Sequence, residues 1–329
     1  MIKHCIIADL HIVIDTDDRE LLNALAPRYA PFCHRASDVT EVPVLFALHH
    51  TERFEPLANA KVMSDFECQE SWCIYSETDT MVQITLQDFH TREDIAQMQC
   101  SKDFGEARCW LSRSINVREY CYNNFLMMLF AFASMDKQTL LFHASVVARE
   151  GKAYLFLAKS GTGKSTHSTL WLKHVPGCEL LNDDNPAVGV RDGKVIVYGT
   201  PWSGKTACYR DVRCEVGAFV RINREKTCYL KRLVSVQSFA CLLPSCSGVK
   251  WDKRLYRAQG DTITMLVSCV PVCEMYCTPY REAAVVCSTS LGAWDGVSEG
   301  EGFGVNERSM KPYGVTLPPE PQDQSSANA

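Results

Sequence analysis

Apolar and polar positions alternate along the first third of the chain. Short runs at residues 5–15 (CIIADLHIVID), 42–50 (VPVLFALHH), 71–77 (SWCIYSE), 81–86 (MVQITL) and 106–112 (EARCWLS) carry the period of two expected of half-buried strands, and polar turns separate them. Residues 1–115 therefore predict a small β-rich or α+β N-terminal module. A helical pattern follows over about 117–135, where Tyr120, Asn124, Met127, Met128 and Ala131 fall on overlapping faces. Its apolar second half predicts burial between layers, which makes 116–137 a connecting helix. From residue 138 the pattern returns to extended runs, LLFHASVVA at 140–148 and KAYLFLA at 152–158. The intervening Arg149, Glu150, Gly151 and Lys152 predict a hairpin turn. A helix containing Leu170, Trp171 and Leu172 comes next, so this stretch reads strand, loop, helix.

Further along, strands are predicted near 178–182, 194–198, 216–222 and 263–275. Helices are predicted near 231–243, stopped by Pro244, and over about 279–291. Cys269, Cys273 and Cys277 would then lie on one face of the last strand. A second domain is read as 138–294. Residues 295–329 end in PPEPQDQSSANA, which cannot repay the entropy of ordering and predicts a disordered tail. No internal repeat is visible.

With 46% hydrophobic and 22% charged residues, the chain has the composition of a globular protein with a sizeable core. The net charge of −5 provides no general nucleic-acid footprint. The N-terminal segment carries acids where a secretory signal needs an unbroken apolar region. The longest apolar run is shorter than the ~20 residues a bilayer span needs, so a cytoplasmic protein without membrane or nucleic-acid partners is expected. The 17 cysteines are odd in number and include no C-x-x-C pair, which predicts reduced thiols rather than a zinc ribbon or a disulfide framework.

Candidate chemistry concentrates in the loop after residue 157: Ala158, Lys159, Ser160, Gly161, Thr162, Gly163, Lys164, Ser165, Thr166. It matches G-x-x-x-x-G-K-[ST] at each defined position but the first, where Ala158 stands for Gly. Such a loop turns backbone N–H groups and a helix N-terminus toward phosphates; its lysine reaches the β/γ oxygens and the next hydroxyl takes Mg²⁺. Lys164 and Ser165 are the candidates for those roles. Asp183 and Asp184 close an apolar strand about twenty residues later, where metal-holding and proton-accepting carboxylates of a phosphotransferase belong. His143 lies on the strand that can hairpin against the one feeding the loop.

The order H-A-S at 143–145, an apolar hairpin, S-G-T-G-K-S at 160–165 and D-D at 183–184 resembles one known superfamily. It unites the C-terminal kinase domain of HPr kinase/phosphorylase with ATP-dependent phosphoenolpyruvate carboxykinase, and the likeness covers roughly residues 138–290. It implies an α/β P-loop kinase domain, and the hairpin before the loop predicts a mixed central sheet. The resemblance further implies that Ser160, Gly161, Thr162, Gly163, Lys164, Ser165 and Thr166 bind ATP, and that Ser165 and Asp184 hold Mg²⁺, with Mn²⁺ as an alternative. Asp183 would be the base, the order of the two acids being open to exchange, and His143 would support the metal or γ-phosphate. The run 199–205 (GTPWSGK) also resembles a loop of short members of the superfamily; in it Lys205 would neutralise the transferring phosphoryl group and Trp202 would pack on the acceptor or base.

The function so implied is a Mg²⁺/ATP-dependent kinase acting on a hydroxyl, a serine of a peptide or protein or that of a small molecule. One alternative is a nucleotide-binding regulator without transfer. The other is a carboxykinase-like enzyme, although the arginine and second lysine such an enzyme uses cannot be placed here.

Overall fold

The computed structural model describes residues 1–294 apart from Gln69, Arg113, Ser160 and Lys205. The expected tail at 295–329 lies outside the described residues. Mixed α/β architecture is observed, with two large mixed sheets and six α-helices among the described residues.

The first sheet contains β1 (Ile2–Ile7), β2 (Leu10–Asp15), β3 (Cys33–His34), β4 (Val44–His50), β5 (Lys61–Cys68), β6 (Ser71–Glu77), β7 (Met81–Asp88), β8 (Asp94–Ser101) and β9 (Glu106–Leu111). Its order is β3-β1-β2-β4-β9-β8-β7-β6-β5. Helix α1 (Arg19–Tyr29) interrupts the early strands, where the sequence pattern shows extended runs and polar turns. Asp18 caps it by accepting from the Leu21 N–H, and Leu21 and Leu25 turn one buried face inward. A single helix of 11 residues among short strands is easily read as a polar turn.

Helix α2 (Ile115–Ala133) forms where the periodicity predicts it and is buried along most of its second half. It packs on β4, β8 and β9; the Tyr122 hydroxyl donates to Leu48 O at 3.0 Å.

The second sheet contains β10 (Thr139–Leu141), β11 (Ala144–Arg149), β12 (Lys152–Leu157), β13 (Cys178–Asp184), β14 (Ala187–Arg191), β15 (Lys194–Tyr198), β16 (Arg213–Arg224), β17 (Tyr229–Arg232) and β18 (Val272–Cys277). Its main path runs β10-β14-β15-β16-β12-β11-β13, and β18 joins β16 to β17. The β11–β12 hairpin turns at Glu150 and Gly151, both with positive φ, as a two-residue turn matching strand twist requires.

Helices α3 (Lys164–His174) and α6 (Arg281–Trp294) pack on one face of this sheet, over a core that includes Phe156, Trp171, Val220 and Met275. The other face merges with the core of the first sheet, together with α5 (Lys253–Cys269). Most of the strand expected at 263–275 is thus helix: Leu255, Gln259, Thr262, Ile263 and Leu266 are buried at helical spacing behind an Asp252 cap. Cys269 accordingly ends a helix and is exposed, whereas Cys273 and Cys277 share the buried face of β18. The helix expected from 231 begins only at α4 (Ser235–Leu242), because residues 229–232 pair with β18.

Beneath α3, His167 accepts from Trp171 Nε1 at 3.1 Å and meets the edge of Phe156. Burial pushes its imidazole down to about 4. The unfolded chain titrates this group near ~6.5, so it binds more protons than the folded chain between those values. Stability from this residue is full above about pH 6.5 and falls by about 3 kcal/mol on acidification to pH 4. Urea unfolding at pH 7 and pH 4.5 should show a smaller pH difference in His167→Gln than in the parent. An equal difference in both would contradict a neutral buried imidazole.

Candidate functional site

Strand β11 runs antiparallel to both β12 and β13, so those two end at the same edge of the sheet. Ala144 is the register partner of Leu157 on one side and of Asp184 on the other. Three sequence-distant segments, His143, the loop after β12 and the two aspartates, are therefore brought together by the hydrogen-bond ladder itself.

Residues 158–163 link β12 to α3, and Gly161 and Gly163 hold φ of 75° and 125°. At Gly163 a side chain would strain the backbone, which leaves glycine as the residue that permits this turn. The Thr162 N–H closes on Lys159 O at 3.1 Å. From the end of the neighbouring β16, Arg224 donates Nε to Thr162 O at 3.0 Å and Nη2 to Gly161 O at 2.6 Å. Arg224 belongs to no motif in the sequence. The available signal was a basic residue closing an apolar strand, which identifies nothing until that strand is known to lie beside β12. α3 then begins at Lys164, directing the positive end of its dipole and its first N–H groups to the same edge. Thr166 sits exposed on its first turn.

The alternation of β13 separates the two acids. Asp183, opposite Ser145, points to the α3 side, where Ser145 meets Ser168 at 2.6 Å. There its Oδ1 accepts from Ser165 Oγ at 3.2 Å and its Oδ2 from the Thr206 N–H at 3.4 Å. Asp184 turns the other way: its Oδ1 is 3.2 Å from His143 Nδ1, and its Oδ2 accepts from Asn185 Nδ2 at 3.0 Å. Asp184 holds a φ of 110°, a strained conformation for a non-glycine residue, of the kind that collects at functional sites. The loop after β15 holds it there. Gly204 donates to Asp183 O at 2.6 Å, and a Cβ at Gly204 would come within 3.0 Å of the Asp184 Cβ.

His143 bridges the halves of this site, because its Nε2 contacts Lys164 Nζ. An ammonium can only donate, so Nε2 carries the lone pair, and Nδ1–H faces the Asp184 carboxylate. A neutral imidazole between a cation and an anion so has both of its ring nitrogens engaged. Its proton affinity agrees: burial, then the Lys164 charge, hold the His143 imidazole below its usual range against the opposing pull of Asp184 and Asp183. Burial also lowers Lys164, again against the two aspartates.

Among the described residues no three His, Cys, Asp or Glu side chains form a ready metal cage. Ser165 Oγ and Asp183 Oδ1 nevertheless offer two neighbouring hard oxygens beside a helix N-terminus. Both are donors of the hard-oxygen type that Mg²⁺ takes.

Two predicted residues, Ser160 and Lys205, lie outside the described residues. Trp202 is a correction. Rather than facing an acceptor, it is 2% exposed, donates Nε1 to the Tyr29 hydroxyl at 3.1 Å and packs on Phe130 with centroids 5.1 Å apart. Its large apolar surface is drawn into the core between the two sheets, a destination invisible in a Pro- and Gly-flanked loop.

No helix among the described residues is long and apolar enough to cross a membrane. No family model matches the chain, and no curated protein matches it. Among solved structures, the Hpr(Ser) kinase/phosphatase from Coxiella burnetii is similar over 47% of this chain and 95% of its own, at 10% identity and a TM-score of 0.29.

Proposed function

We propose that this chain is an ATP-dependent phosphotransferase of the P-loop kinase type, moving the γ-phosphate to a hydroxyl of a peptide, protein or small molecule. The observation that carries this reading is the convergence of the Lys164–His143–Asp184 chain and the Ser165–Asp183 pair on one sheet edge, at the N-terminus of α3.

In this reading residues 160–166 cradle the phosphates. Lys164 leaves His143 to meet the β/γ oxygens, exchanging one acceptor for a more highly charged one. Ser165 and Asp183 would hold Mg²⁺, which neutralises phosphate charge when bound. The contacts favour Asp183 for the metal side and Asp184 for the proton, the exchanged order of the two acids. Asp183 is buried with both oxygens engaged, whereas Asp184 is more exposed and backed by His143. The acceptor O–H proton passes to Asp184, its oxygen forms the new P–O bond, and ADP leaves. Lys205 remains the proposed partner of the transferring charge.

A second reading has one observation in its favour. His143 and Asp184 stand 3.2 Å apart and could together hold Mn²⁺, as a carboxykinase-like reaction requires.

Incubation with γ-labelled ATP, Mg²⁺ and a cell lysate should place acid-stable label on an acceptor. Asp184→Asn should lower transfer by about 10²- to 10⁴-fold, the usual worth of a general base, while ATP affinity stays within a few fold. Asp183→Asn should weaken Mg²⁺-dependent ATP binding itself. Equal effects of both variants on binding would refute the division of roles. Transfer that required oxaloacetate and Mn²⁺ would favour the second reading.

A further inference from the structure

Among the contacts of the described cysteines, one stands apart from the site. Cys5 on β1 and Cys33 on β3 are direct register partners of an antiparallel pair, and their sulfurs are 3.0 Å apart. Opposed residues of such a pair have Cα atoms ~4.5–5.5 Å apart, within the ~4.4–6.8 Å that a disulfide spans. A sulfur–sulfur bond of ~2.05 Å then needs only about an ångström of side-chain movement. The two environments differ. Cys5 is fully buried, while Cys33 is partly exposed at the end of the short turn 30–32, on an edge strand of the first sheet.

We propose that Cys5 and Cys33 form a reversible dithiol–disulfide site that reacts with small-molecule disulfides of the glutathione class. The accessible Cys33 thiolate attacks the disulfide RSSR, breaking its S–S bond, forming a mixed disulfide on Cys33 and releasing one RS⁻. Cys5 gives its proton to the released RS⁻, and its sulfur attacks the Cys33 sulfur facing it, breaking the mixed disulfide and expelling the second RS⁻, which takes up the proton that Cys33 lost. In sum two protein thiols and RSSR give one protein disulfide and two RSH; the protein is oxidised and the small disulfide reduced. Proton affinities fit this order: the hydrogen bond from Cys5 holds the Cys33 thiol below its usual range, whereas that same contact and then burial raise Cys5. A low, accessible thiol attacks first and a buried neighbour resolves. This site is independent of the nucleotide reading.

The bond would close β3, and the turn that follows α1, onto β1. Tyr29, four residues before Cys33, is the residue that receives Trp202 Nε1. Oxidation should therefore raise the thermal midpoint of the full chain, since the bond shortens the unfolded ensemble across the segment 5–33.

The test is treatment of the folded full chain with oxidised glutathione, followed by alkylation under denaturing conditions and peptide mapping. The expected result is a Cys5–Cys33 linked peptide that dithiothreitol reverses, with loss of alkylation at both positions. In Cys5→Ser the resolving thiol is gone, so Cys33 should instead accumulate one glutathione. Complete alkylation of Cys5 and Cys33 in the treated parent protein would overturn the proposal, as would their pairing with other cysteines. Neither of those readings depends on the variant folding.

Discussion

Replacing Lys164 by alanine should abolish phosphoryl transfer and weaken ATP binding together, with transfer lowered by about 10³-fold or more. Lys164 opens α3 beside the two glycines of positive φ and carries the cation that the Asp184–His143 chain holds in place. Without it, bound phosphates would lose the ammonium at the start of α3 as a counter-charge, and His143 would lose its cationic partner. One consequence for His143 can be measured. The Lys164 charge is the second cause of its lowered proton affinity, after burial, so Lys164→Ala should raise the His143 titration toward its usual range. NMR titration of the imidazole reads this directly, without any acceptor. Lys164→Arg keeps the charge but replaces a compact ammonium by a planar fork, and should restore the titration better than the transfer rate. If Lys164→Ala bound and transferred phosphate at the parent rate, the loop would not be a nucleotide site.

Trp202→Ala should cost about 3–5 kcal/mol of stability, the usual range for emptying a buried aromatic site. The side chain is almost wholly enclosed, packs at a tilt against Phe130 of α2, and completes a hydrogen-bonded line from Trp202 Nε1 through the Tyr29 hydroxyl to Asn123 Oδ1. The substitution also frees the segment whose next two residues hold the aspartates: Ser203 Oγ lies 2.9 Å from Asp183 O, and Gly204 donates to the same carbonyl. Loss of stability should therefore be accompanied by weaker Mg²⁺-dependent ATP binding at temperatures where the variant is still folded. Trp202→Phe keeps most of the apolar volume and loses only the indole donor, so it should cost about 1–2 kcal/mol. Urea midpoints of the three proteins give the comparison. A cost below about 1 kcal/mol for Trp202→Ala would show that the loop does not depend on this anchor.

The parts of the site that could be read in the one-dimensional chain are those whose signal is local. The glycines at 161 and 163 mark a backbone turn that few other residues allow, Lys164 and Ser165 sit at fixed offsets from it, and an apolar run ending in two acids marks a strand terminus. The hairpin at 149–152 was legible for the same reason, since its turn residues lie next to the strands they join. That hairpin also implied that His143 comes back beside the loop.

Other features depend on which elements become neighbours. The opposite orientation of Asp183 and Asp184 follows from strand alternation, but which side matters is settled only when α3 covers one face of the sheet. Arg224 joins the loop because β16 pairs in parallel with β12, across a separation of more than sixty residues. Trp202 leaves the candidate site because a buried indole gains more from the core between the sheets than from a polar edge. Helix α5 replaces an expected strand because its buried stripe recurs every three to four residues, while the apolar β18 that follows blurred the boundary in sequence. Cys5 and Cys33 meet only because β3 returns to pair with β1. The glycine-rich loop and its flanking strands follow from the sequence, because turn chemistry and periodicity act between near neighbours. The tertiary structure alone decided which faces and partners those residues have, because strand pairing and core burial are set by contacts between distant segments.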